Sequence, residues 1–113
     1  LESFDNAVRY LSDFSTGDPI LEARAQALIG DAKMELKDFS GAISSYNGAI
    51  SASNEDSEIL PLYVMKLAVA QEENGDRSGA KESYAMITKK YKKSTYYQDA
   101  RKHKARLEGL LAE

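Results

Sequence analysis

The chain of 113 residues contains no cysteine, no tryptophan, a single histidine and two prolines. Without cysteine there is no disulfide framework, no thiolate metal site and no thiol nucleophile. His103 alone cannot make a histidine-rich metal site. Long apolar runs are missing too, since nothing approaches the roughly 18 residues that a membrane-crossing helix needs. The seven glycines are scattered, with neither a phosphate-cradling loop nor a G-x-G-x-x-G turn. Serines are plentiful, yet no G-x-S-x-G elbow occurs. A Ser-His-Asp arrangement would have to use His103, which stands in the cationic run Arg101, Lys102 and Lys104. Glu72 and Glu73 are adjacent and point different ways on a helix, so they do not form a paired acid and base. The Ser53–Ser57 loop carries carboxylates but lacks the residue order of a calcium loop, and reads as a helix-capping connection. These absences leave a non-enzymatic protein with no cofactor and no metal.

What is present is a globular composition, 42% hydrophobic and 29% charged. The net charge of −3 hides a polarity. Leu1 to Asp76 holds 5 Lys or Arg against 14 Asp or Glu, and Arg77 to Glu113 holds 10 against 4. Solvated helix faces account for such a pattern, as does a polarised molecule with charged partners.

Apolar residues recur at spacings of three and four throughout, which predicts six helices and an all-α fold. They run from Phe4 to Phe14, Pro19 to Leu36, Phe39 to Ala52, Glu58 to Asn74, Arg77 to Tyr91 and Thr95 to Leu111. Asp18-Pro19 reads as an N-cap followed by the first helical residue, where the missing proline N–H costs nothing. Short connections predict antiparallel neighbours.

The chain also repeats itself. Asp38-Phe39-Ser40-Gly41-Ala42 returns 38 residues later as Asp76-Arg77-Ser78-Gly79-Ala80. At that offset Tyr46 meets Tyr84, Ala49 meets Ile87, and Ile29-Gly30 meets Leu67-Ala68. At an offset of 35, Phe4, Ala7, Leu11 and Phe14 meet Phe39, Ala42, Tyr46 and Ala49. Periods of this length mean stacked helical hairpins. On these residues the chain resembles the tetratricopeptide repeats, whose pattern places small residues where two helices approach and bulky ones between hairpins. It departs from their consensus at Gln26 and Val64 in the tryptophan position, at Lys33 and Gln71 in the tyrosine position, and at Lys92 in place of the closing proline.

The resemblance implies an α-α superhelix of about six helices, one repeat-type domain over 1–113. Residues 1–18 would be the second helix of a truncated repeat, 19–54 and 58–93 full repeats, and 94–113 a C-terminal capping helix. Because the chain opens inside a repeat, it is expected to continue upstream. The stretches 18–36 and 60–91 resemble bacterial repeat proteins hung from a single upstream transmembrane helix. That implies an inner-membrane anchor with the repeats in the periplasm, beside export machinery; otherwise the chain is cytoplasmic.

The family's function is to bind a partner polypeptide in a concave groove lined by the first helix of each hairpin. Carried across, the groove positions are Arg24, Ala27, Asp31, Met34 and Glu35, then Leu62, Met65, Val69, Glu72 and Glu73. Chaperone-binding members hold a C-terminal carboxylate with Lys and Asn. The corresponding residues here are Ala27, Asp31, Met65 and Val69, which argues against such a clamp. The groove is expected to be apolar with acidic edges, suited to an apolar or amphipathic segment carrying Lys or Arg. Leu62, Met65 and Val69 could equally pack on one another or on a neighbouring helix. Two alternatives stand beside the groove. One is self-association into a homo-oligomer. The other is binding of a polyanion, nucleic acid or an anionic membrane, by Lys89, Lys90, Lys92, Lys93, Arg101, Lys102, Lys104 and Arg106.

Overall fold

The computed structural model describes residues 2–13 and 17–113. Six helices follow one another: α1 (Glu2–Ser12), α2 (Pro19–Glu35), α3 (Phe39–Ala52), α4 (Leu60–Glu73), α5 (Arg77–Lys90) and α6 (Tyr97–Leu111). Each packs chiefly on its neighbours in the chain. The result is a slab of 42 × 31 × 17 Å, and its short dimension matches two layers of helices at 8–10 Å between axes. The fold is all-α, with adjacent helices paired as tetratricopeptide-type hairpins.

Local chemistry sets the helix starts. Asp18 accepts a hydrogen bond from the Ile20 N–H at 2.9 Å, with Pro19 just inside the helix. Asp38 and Asp76 do the same from the Gly41 and Gly79 N–H groups at 3.0 and 2.8 Å. The repeated Asp-x-x-Gly-Ala block is thus a cap. A Cβ at either glycine would run into the capping carboxylate. Beyond the small residue, Ala42 and Ala80 are fully buried against the neighbouring helix.

The helix ends repeat as well. After α2 the Asp38 N–H reaches the Lys33 carbonyl and the Lys37 N–H that of Met34. After α4 the Asp76 and Gly75 N–H groups reach Gln71 and Glu72. Both are Schellman closures, which place one residue in the left-handed region. That residue is Gly75 at φ +83° in one and Lys37 at φ +61° in the other.

Boundaries of three helices move by two residues from those predicted. The fourth helix begins at Leu60 instead of Glu58, because Asn54 folds residues 54–57 into a turn through its side chain and carbonyl. The last begins at Tyr97 instead of Thr95, because Ser94 holds the Tyr96 and Tyr97 N–H groups outside the helix. The first runs Glu2–Ser12, beginning and ending two residues earlier than expected. Phe14, expected at its end, lies outside the described residues.

The core is distributed between hairpins, and α4 takes part in every section of it. Leu60, Val64 and Ala68 face Ala80, Tyr84 and Ile87 of α5 and Ala100 and Leu107 of α6. Tyr63 meets Ala23 and Ala27 of α2 and Ala49 of α3. Leu67 and Ala70 meet Ala42 and Tyr46. A helix buried on two sides is apolar nearly all round, which explains the run Leu60-Pro61-Leu62-Tyr63-Val64-Met65. Burying a side chain such as Leu107 completely stabilises by about 1.5–3 kcal/mol. On α6 the outward positions Gln98, Asp99, Arg101, Lys102 and Glu108 are polar and exposed.

Candidate functional site

The Asp31–Lys66 and Glu72–Arg106 ion pairs set α2 beside α4 and α4 beside α6, so these three helices form one layer. The accessible stripe of α2 runs through Leu21, Arg24, Leu28, Asp31 and Glu35, at steps of three and four. That of α4 runs through Leu62, Met65, Lys66, Val69, Glu72 and Glu73. Leu28 and Val69 are the most exposed large apolar side chains on these two stripes after the first turn of α2, at 46% and 45%.

Two charged units tie the layer together. Asp31 of α2 accepts from the Tyr46 hydroxyl of α3 at 2.6 Å and from the Lys66 Nζ of α4 at 2.9 and 3.1 Å. Glu72 of α4 accepts from the Tyr84 hydroxyl of α5 at 3.2 Å and from Arg106 of α6 at 2.6 Å. Each unit links one first helix, its own second helix, and the next first helix. Burial, and then the adjacent carboxylate, pushes the Tyr46 phenol far up. The same causes push Tyr84 up to about 12, with Arg106 drawing it back. Burial alone would raise the Glu72 carboxyl, but Arg106 and the Tyr84 hydroxyl together hold it below its ordinary value. These pairs are part-exposed, so each is worth about 0.2–1 kcal/mol. Their larger effect is to set the register between hairpins.

The expected groove residues separate accordingly. Ala27 is only 5% exposed and packs under Tyr63; Leu28, not among the expected positions, stands on the accessible stripe in its place. Met65 and Met34 are half-buried, leaning on the core. Asp31 and Glu72 are neutralised by Lys66 and Arg106. Arg24, Glu35, Val69 and Glu73 are exposed as expected. The surface therefore differs from an apolar floor with free acidic edges. It offers Leu28 and Val69, with a closed ion pair between the two helices and single charges at Arg24, Glu35 and Glu73. A heptad-style count would have found Leu28, since it lies four residues from Arg24 and three from Asp31; Lys66 gave no local signal.

The basic residues also divide. Lys104 lies 4.0 Å from Glu108, and Arg106 is committed to Glu72. Arg101 and Lys102 sit on the outer side of α6. Lys89, Lys90, Lys92 and Lys93 line a cleft of about 930 Å³ at the end of α5. A smaller one of about 570 Å³ lies beside the start of α2, and Ser57 and Ile59 border both. His103 stacks on Tyr84 at 5.0 Å between ring centroids, and its Nδ1 faces Arg106 at 3.1 Å. That is a packing position against the second unit. Among the described residues no group of three or more acidic or histidine side chains is placed to hold a metal ion. No helix among them is long and apolar enough to cross a membrane.

Residues 64–94 match the tetratricopeptide repeat family. The match starts inside α4, covers α5 and ends in the connection that follows. No significant match was found among the curated proteins or the solved structures.

Proposed function

We propose that this protein is a non-enzymatic interaction scaffold that seats a partner polypeptide on the shared surface of α2 and α4. The repeat at 64–94 supports protein binding in general, as that family typically does. The observation that carries the finer reading is the pair Leu28 and Val69, left nearly half-exposed one turn either side of the Asp31–Lys66 ion pair. Apolar side chains flanked by Arg24, Glu35 and Glu73 suit an amphipathic segment that buries its apolar residues on the leucine and valine. Rigid presentation matters here, because a surface fixed by two interhelix units loses little entropy on binding.

The matching turns at 33–41 and 71–79 support one helical hairpin within each of 19–54 and 58–93. Arg106 does for Glu72 what Lys66 does for Asp31, so α6 takes the place of a further first helix with a polar outer side. Resemblance to membrane-hung bacterial repeat proteins extends the reading to a scaffold at the bacterial envelope, which fractionation of the native source checks.

The test is a crosslinked pull-down of wild type against Leu28→Lys with Val69→Lys. Both positions are accessible, so circular dichroism should be unchanged. A partner captured by wild type and lost in the double variant is expected. An identical partner set would place recognition elsewhere.

A further inference from the structure

We propose that the cleft at the end of α5 is a second interaction site, for an acidic polypeptide segment carrying an aromatic or aliphatic side chain. Its basic wall is Lys89, Lys90, Lys92 and Lys93. None of these four forms an ion pair among the described residues, in contrast to Lys66, Lys104 and Arg106. The C-terminus of α5 already favours cations, but a helix end carries only about half a negative charge. Four ammonium groups exceed that, and they exceed the two carboxylates of the facing wall, Asp56 and Glu58.

The apolar part of the lining comes from Ile59, Leu62 and the ring of Tyr96. One hydrogen bond joins the segments that flank the cleft. The Tyr91 hydroxyl donates to the Glu55 carbonyl at 3.0 Å, tying the end of α5 to the α3–α4 connection. Burial first, and then Glu55 and Asp56, raise the Tyr91 phenol, so it stays a neutral donor. A volume of about 930 Å³ lies at the upper end of ligand clefts and takes a few side chains.

Charge arrangement selects the occupant. A nucleic acid bears one phosphate per nucleotide and would run some of them past Asp56 and Glu58. A polypeptide can place its acids against the lysines and a neutral or apolar residue against that acidic wall. The site uses the end of α5, the connections beside it and the first turn of α4, where Leu62 borders both surfaces; Leu28 and Val69 lie outside its lining, so changes there separate the two.

Fluorescence anisotropy with a short labelled peptide of Glu and Asp around one Phe tests this. Saturable binding to wild type is expected, weakened about tenfold or more by Lys89→Ala, Lys90→Ala, Lys92→Ala and Lys93→Ala together. Arg77→Ala, Lys81→Ala, Arg101→Ala and Lys102→Ala together remove the same charge elsewhere and should change affinity by no more than about twofold. Leu28→Lys with Val69→Lys should leave peptide binding intact, so this site and the α2–α4 surface fail independently. Equal weakening by the two lysine and arginine sets would reduce the effect to net charge and refute the site. Absent peptide binding, or tighter binding of oligothymidylate or of phosphatidylserine vesicles than of the peptide, would also overturn it.

Discussion

Gly30 is where the stacking of helices can be tested with one methyl group. A Cβ built there would stand 2.5, 2.7 and 2.9 Å from three ring atoms of Tyr46. Ordinary carbon contacts lie at about 3.5–4.0 Å, so the overlap approaches 1 Å over three atoms. The ring cannot simply swing aside. Its hydroxyl is held 2.6 Å from Asp31, which Lys66 holds in turn. Two effects oppose each other in Gly30→Ala. Alanine gains about 0.8–1.0 kcal/mol of helix propensity. Overpacking costs about 1–3 kcal/mol, and pulling Tyr46 from a charged acceptor about 1.5–3 kcal/mol more. The net expectation is a loss of about 2 kcal/mol or more, read by urea unfolding followed by circular dichroism. Gly109→Ala is the internal control, because nothing lies within 4 Å of its Cβ position. That change should stabilise by about 0.8–1.0 kcal/mol. A second check is Gly30→Ala combined with Tyr46→Leu, which should show a favourable coupling of about 0.5–3 kcal/mol. If Gly30→Ala raises stability as Gly109→Ala does, the close approach of α2 and α3 is wrong and the reasoning fails.

Lys37 and Gly75 occupy the same closure, so exchanging their character should act in opposite directions. Lys37→Gly removes about 1–2 kcal/mol of left-handed strain against about 0.4–1 kcal/mol of added chain freedom, for a net gain of about 0.5 kcal/mol; Gly75→Ala reverses both contributions and should lose about 0.5–1 kcal/mol, both read by thermal unfolding. Asp38→Ala and Asp76→Ala should each cost about 1 kcal/mol, and by similar amounts because the cap geometry is the same; a cost at one site only would deny their equivalence. The Glu72 carboxyl is lowered from 4.5 in the folded chain, so its contribution is present above that value and is lost as pH falls through the depressed one. Glu72→Gln should flatten this acid limb, an effect of about 0.2–1 kcal/mol given the exposure of Arg106. The Tyr84 phenol is raised from 10.0 to about 12, so stability is present below pH 10.0 and lost on the way to about 12, and Tyr84→Phe should remove that part of the alkaline loss in an ultraviolet titration with parallel unfolding curves.

The six helices and their pairing were legible because they rest on local rules. The three-four spacing places the apolar faces, Asp18 caps the helix after Pro19, and the Asp-x-x-Gly-Ala block repeats because the cap repeats. Small residues at Gly30, Ala42, Ala68 and Ala80 announced close helix contacts, and these are buried. The site was less legible. Ala27 and Leu28 differ by one step of about 100° around the helix, and that step separates the core beneath Tyr63 from the accessible surface. The family's register counts Ala27 among the groove positions; in the fold Ala27 is buried beside Tyr63 and Leu28 is the exposed neighbour.

The sequence by itself therefore determined which segments are helical, the capped starts at Pro19, Phe39 and Arg77, and that the helices stack as repeated hairpins, since each of these follows from residues within one or two turns of each other. Tertiary structure alone decided which charges on the surface are free. Asp31 meets Lys66 across 35 residues and Glu72 meets Arg106 across 34. Such pairings depend on the distance and rotation between successive hairpins, which no local pattern carries. Among the described residues the same stacking leaves Lys89, Lys90, Lys92 and Lys93 outside any ion pair, beside the cleft they line, although in sequence they look no different from the cations that are paired.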